Sequence, residues 1–141
     1  MKTLGLMIAS ILTFMAPIAS LLIIVVLIVL LDTGSAIYTS IKLKGRESFS
    51  SGKLFNIIPK ISFYSFSILI SYLLDYFILG GSLFSIPFLL SKSAWMVILW
   101  TEGKSINENF IKLGYKSIDI VITNMIKKIK KIKKDFNEIR E

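Results

Sequence analysis

Apolar residues in this chain fall in long blocks, not in the short alternations of a soluble fold. No charged residue occurs from Leu4 to Leu31. As a helix that run would be about 42 Å long, against a hydrocarbon core of about 30 Å. It exceeds one upright span and falls short of two. Pro17 divides it, and proline is tolerated as a first helical residue but not in a helix interior. The pattern predicts a first membrane span over 17–38, preceded by a short apolar helix over 3–16 in the interface or partly inserted. A second block predicts a span over 61–79. Gly80-Gly81-Ser82 reads as a tight turn, and a third span is expected over 83–100. Spans two and three would then form a helical hairpin, with Trp95 and Trp100 toward its far end, where indoles suit the membrane interface.

The period changes in the tail. Ile118, Ile122, Met125, Ile129, Ile132, Phe136 and Ile139 follow one another in alternating steps of four and three. That spacing is a heptad seam on an amphipathic helix. Lys127, Lys128, Lys130, Lys131, Lys133 and Lys134 fill the positions between. A coiled coil would crowd these lysines together. A helix lying on an anionic leaflet would bury the isoleucines and place each lysine among headgroups, at about 1 kcal/mol apiece. The leaflet is the favoured reading, and nucleic acid, which any lysine cluster attracts, is not expected as a partner.

Composition sharpens the picture. The 141 residues are 54% hydrophobic and 18% charged, well below the charged share of about 25% in soluble domains. An all-α integral membrane protein follows, organised as an N-terminal apolar segment 1–16, a three-span membrane domain 17–101 and a basic tail 102–141. Histidine and cysteine are absent, which removes thiol nucleophiles, Cys/His metal sites and histidine acid–base chemistry. No Gly-rich phosphate loop or nucleophile elbow occurs. Neither an enzyme nor a cofactor is expected. Lys2 and Ala16-Pro17-Ile18-Ala19 have the outline of a cleaved signal. Pro17, however, stands where a small residue is wanted, so the segment is expected to stay.

Charge gives orientation. Lys42, Lys44, Arg46, Lys53 and Lys60 face Glu47 alone in the loop 41–60, and the tail adds nine lysines and Arg140 against six acids. Basic flanks stay in the cytoplasm. Three spans then place the N-terminus outside and the C-terminus inside.

Asp32, Asp75 and Lys92 fall within the apolar segments, where each costs about 2.5 to 3.5 kcal/mol unless it faces protein, water or an interface. Span arithmetic puts Lys92 near mid-span, between the depths of the two acids, so either acid could pair with it. Ser62, Ser65, Tyr72 and Tyr76 share one face of the second span, and Ser82, Ser85 and Lys92 one face of the third. Such seams glue helices together or line water. Ala16-x-x-x-Ser20, Ser67-x-x-x-Ser71 and the patch Gly34-Ser35-Ala36 permit close helix approach. The assembly candidates are Asp32, Gly34, Ser65, Tyr72, Asp75, Ser85 and Lys92.

Three segments carry a family resemblance. Leu31-Asp32-Thr33-Gly34-Ser35-Ala36-Ile37-Tyr38 is followed by Ile41-Lys42-Leu43-Lys44-Gly45-Arg46 with Phe49-Ser50-Ser51-Gly52-Lys53-Leu54. Glu102-Gly103-Lys104-Ser105-Ile106-Asn107-Glu108-Asn109 and Leu113-Gly114 close the series. Together they resemble the phage-lysis and toxin-secretion holin family over roughly residues 21–115. The family's Asp-(aromatic)-x-Thr-Gly spacing is shortened here to Asp32-Thr33-Gly34. The resemblance carries Asp32 and Gly34 over as the shared patch and gives neither a pore-lining role. It implies a small phage protein that accumulates in the host inner membrane, associates with itself and opens holes at a set time. Those holes would collapse the proton gradient and let an endolysin, the functional partner, reach the wall. Two other classes fit the same composition: a membrane adaptor or superinfection-exclusion protein, and a small ion channel. An adaptor would be tolerated by the host, and a channel would leak ions but not protein.

Overall fold

A computed structural model of the chain describes residues 2–48 and 51–138. The fold is all-α apart from one small hairpin. Helix α1 covers Lys2–Lys44, α2 Ser51–Phe55, α3 Ile57–Phe77, α4 Leu89–Lys112 and α5 Ile118–Glu138, and strands β1 (Ser82–Leu83) and β2 (Ile86–Pro87) lie between α3 and α4. Phe49, Ser50 and Ile139 fall outside the described residues, as does the side chain of Lys134.

Among the described residues two helices, not three, are long and apolar enough to cross a membrane: α1 over Thr3–Lys44 and α3 over Ile57–Phe77. The expected third span and its two-span hairpin do not form as such. The apolar stretch after Gly81 turns back on itself, with Ser82 paired to Pro87 and Leu83 to Ile86, so α4 starts only at Leu89. From Leu89 through Trp100 the apolar part of α4 has 12 residues. That is about 18 Å of helix, too short for the hydrocarbon core. Beyond Trp100 the helix is polar, with Glu102, Lys104, Asn107, Glu108 and Asn109.

The separate N-terminal helix is corrected too. Pro17 lies inside α1, which runs unbroken for 43 residues, about 64 Å. Proline removes one backbone donor and crowds the preceding turn. Here that turn is braced from outside. The Tyr72 hydroxyl donates to the Phe14 carbonyl at 2.7 Å, and the Phe14 ring packs edge-on against Tyr72 and Tyr76.

Gly45, at φ +84°, takes the left-handed position just past the end of α1, where a side chain would strain the backbone. The chain then returns through a 3₁₀ turn, Arg46–Ser48, and α2. α3 runs antiparallel to α1: Phe14 meets Tyr72 at one end and Asp32 meets Lys60 at the other. α4 packs along both, antiparallel to α3 and parallel to α1. The apolar core is thin: Ile18, Val25 and Val29 of α1, Ile68 and Tyr72 of α3, and Ile98 of α4. Outward-facing hydroxyls are hidden by bonding the carbonyl one turn back, as Ser67 does to Phe63, Ser71 to Ser67 and Thr101 to Val97. α5 carries its apolar seam into the open, with Ile122, Met125, Ile129 and Ile132 all exposed.

The turn at β1–β2 is strained. Phe84 and Ser85 both have positive φ, 51° and 64°, the signature of a type I′ turn normally built from Asn-Gly. Replacing the pair by Phe84→Asn with Ser85→Gly should stabilise the protein by about 1 to 2 kcal/mol. Denaturation in detergent micelles measures this. An unchanged midpoint would mean that the turn bears no strain.

Candidate functional site

The inner faces of the three packed helices change character along their length. Near the Gly80-Gly81 end and through the middle they are mostly apolar. Toward the basic loop, α1 places Asp32, Ser35 and Thr39 inward, α3 places Lys60 and Tyr64, and α4 places Glu102 and Asn109. Asp32 and Thr39 stand seven residues apart on α1, as do Glu102 and Asn109 on α4. Two helical turns separate each pair, so the parallel helices meet in register.

Lys60 joins the seam. Its Nζ lies 2.7 Å from Asp32 Oδ2 and 2.6 Å from Glu102 Oε2, bridging α1 and α4 from the first turn of α3. Tyr64, one turn on, donates its hydroxyl to Glu102 Oε1 at 2.6 Å. Glu102 is only 1% exposed, and Asp32 is also buried. The Lys60 side chain keeps 30% of its accessibility, so its ammonium reaches the edge of the bundle while bonding inward. Farther along, the Asn109 side-chain amide donates to Ser35 Oγ at 2.9 Å, and the Asn109 main-chain carbonyl accepts from Thr39 Oγ1 at 3.2 Å.

A second polar junction sits at the opposite end. Phe88, at the N-cap of α4, has left-handed φ and offers no capping side chain. Asp75 of α3 caps the helix in its place. One oxygen accepts from the Leu90 backbone N–H at 3.0 Å, and the other from the Ser91 N–H at 2.8 Å and the Ser91 hydroxyl at 2.7 Å. A carboxylate at a helix N-terminus meets both orphan donors and the positive end of the helix dipole.

The sequence-predicted residues divide accordingly. Asp32, Tyr72 and Asp75 point into the bundle and make its interhelix bonds. Ser65 is half-buried on α3, and Gly34 faces outward, with open space where a Cβ would lie. Ser85 is not on a helix but at the exposed hairpin tip. Lys92 is exposed in the first turn of α4, level with Asp75 and not mid-span. Neither acid pairs with it, because Asp32 is taken by Lys60 and Asp75 by the start of α4. Lys127, Lys128, Lys130, Lys131 and Lys133 are exposed on α5.

Sequence reasoning missed Lys60, Tyr64, Ser91, Glu102 and Asn109 as site residues. The seven-residue spacings were the available signal. Two of the segments that carry the family resemblance, Asp32–Tyr38 and Glu102–Asn109, meet here across Lys60. Among the described residues no cluster of His, Cys, Asp or Glu could hold a metal. The arrangement can fasten three helices and present water-compatible groups if they separate.

The model of a family described as the Bacteriophage holin family matches residues 9–131, nearly the whole chain. No curated protein and no solved structure matches.

Asp75→Ala would leave two backbone donors of α4 without their acceptor in an apolar setting. It should cost about 2 to 3 kcal/mol, the range for bonds to a charged group, while Asp75→Asn should cost less. Unfolding of the purified variants in detergent checks the order. Equal stability of Asp75→Ala and the parent would remove Asp75 from the helix junction.

Proposed function

We propose, for a chain that belongs to the bacteriophage holin family, that it oligomerises in the host inner membrane and opens holes at a set time. It is a holin-type membrane protein, a non-catalytic pore former of phage lysis. In the proposed sequence of events the holes collapse the proton gradient and admit a cytoplasmic endolysin to the cell wall. The basic loop 41–60 between the two spans lies on the cytoplasmic side, and the N-terminus lies outside. One observation carries the reading: a polar seam closed inside an otherwise apolar bundle. A protein that must wait in lipid as single copies and later border water needs polar surface it can hide.

The tail supports a lipid partner. α5 leaves the bundle at an elbow where Asn107 accepts from the Ile118 N–H and donates to Ser117 Oγ. Beyond it, the exposed seam Ile122, Met125, Ile129 and Ile132 is flanked by lysines. That combination matches the acyl–headgroup boundary of an anionic leaflet.

Inducible expression in a bacterial host, alone and with an endolysin lacking any export signal, tests the function. Abrupt lysis only with both proteins, preceded by loss of membrane potential, is the expected result. Continued growth with verified insertion would contradict it, and lost potential without lysis would limit the holes to ions. A second measurement concerns the tail. A fluorophore on Ile129→Cys in proteoliposomes should be quenched by bilayer-embedded quenchers in anionic lipid, and much less in zwitterionic lipid or at high salt. Equal quenching in both lipids would remove the role of the lysines.

A further inference from the structure

α4 is held to its neighbours by polar groups as well as by the apolar packing of Ile98 and Trp95. Of its four buried residues only Ile98 is apolar; Ser91, Glu102 and Asn109 each bond across to another helix. Its opposite face is exposed, with Met96, Val97 and Trp100 at the middle and Lys92, Lys104 and Glu108 toward its ends. The connection leading into it is strained, with positive φ at Phe84, Ser85 and Phe88. A helix whose most buried cross-helix contacts are polar and whose approach is strained is fastened in a way that lipid and water treat differently. Pulled away in lipid, Ser91, Glu102 and Asn109 would lose their partners with nothing to replace them. Pulled away beside water, each would exchange a protein partner for solvent at small net cost.

We propose that α4 is the moving wall of the hole. When copies have gathered, it undocks from α1 and α3 about the turn 80–88, and its inner face, marked by Ser91, Glu102 and Asn109, comes to border the water-filled lumen. The inference rests on the pore-forming reading above and names the surface that reading leaves open. It also gives the transition an order. The polar clasps oppose undocking while a copy is alone in lipid and cease to oppose it once copies share an aqueous space. The exposed face of α1, with Ile23, Leu27 and Leu30, offers water nothing comparable.

The chain has no cysteine, so introduced thiols report without background. Ser91→Cys and the lipid-facing Met96→Cys are expressed separately, and a charged, membrane-impermeant thiol reagent is applied before and after membrane potential is lost. Ser91→Cys should be protected beforehand and label about tenfold faster or more afterwards, as a buried site does on local opening. Met96→Cys should stay slow throughout. Labelling of Met96→Cys with continued protection of Ser91→Cys would overturn the proposal.

The pair Ser35→Cys with Asn109→Cys, whose native side chains bond at 2.9 Å, provides an independent arm. Oxidation should tether α4 to α1 and abolish holes, and reduction should release them. Holes of normal timing from protein shown to be cross-linked would overturn the proposal while leaving the holin reading intact. Absence of depolarisation by the unmodified chain would instead defeat the holin reading itself.

Discussion

A single ammonium group shared by two carboxylates, each from a different helix, sets the terms for the rest of this structure. Lys60 reaches Asp32 on α1 and Glu102 on α4. None of the three is at ease alone in an apolar bundle, because burying an unpaired charge costs several kcal/mol. Lipid provides no alternative partner, so the polar groups must find one another. That requirement fixes the register of α1 against α4, which in turn aligns Asn109 with Ser35 and Thr39. The apolar core alone would specify this poorly, since Ile18, Val25, Val29, Ile68 and Ile98 could slide past one another at similar cost.

The same constraint explains the distribution of strain. With Glu102 held by Lys60 and its N-terminus by Asp75, α4 has a fixed starting point at Leu89. The chain between Phe77 and Leu89 must meet it, and does so through a hairpin whose central residues, Phe84 and Ser85, are poorly suited to positive φ. Tyr72 makes a matching contact near Pro17, donating to the Phe14 carbonyl of the unbroken α1. A polar contact between helices thus fixes where α4 starts.

Much of this was legible in the sequence, and the misses have a common physical origin. Helices do occupy the two long apolar blocks and the tail as far as Glu138, and a turn lies at Gly80-Gly81. Asp32 and Asp75 stood out as intramembrane acids and do anchor helices. The decisive partners did not stand out. A span drawn over 61–79 begins one residue after Lys60, and one drawn over 83–100 ends two residues before Glu102. Hydropathy assigns an isolated charge to water, so both were read as loop and tail residues. It carries no information about pairing across helices. The same blindness made a span of 83–100, where apolar residues are spent on a hairpin, and divided α1 at a proline that Tyr72 supports.

Lys60 and Glu102 act as one unit in holding α4 to the bundle, and a double-mutant cycle measures that coupling. Lys60→Met, Glu102→Gln and the double variant are unfolded in detergent beside the parent chain. Strong coupling is expected, about 1.5 to 3 kcal/mol, with the double variant far less destabilised than the two single changes summed. Coupling near zero, with the single effects simply adding, would contradict it.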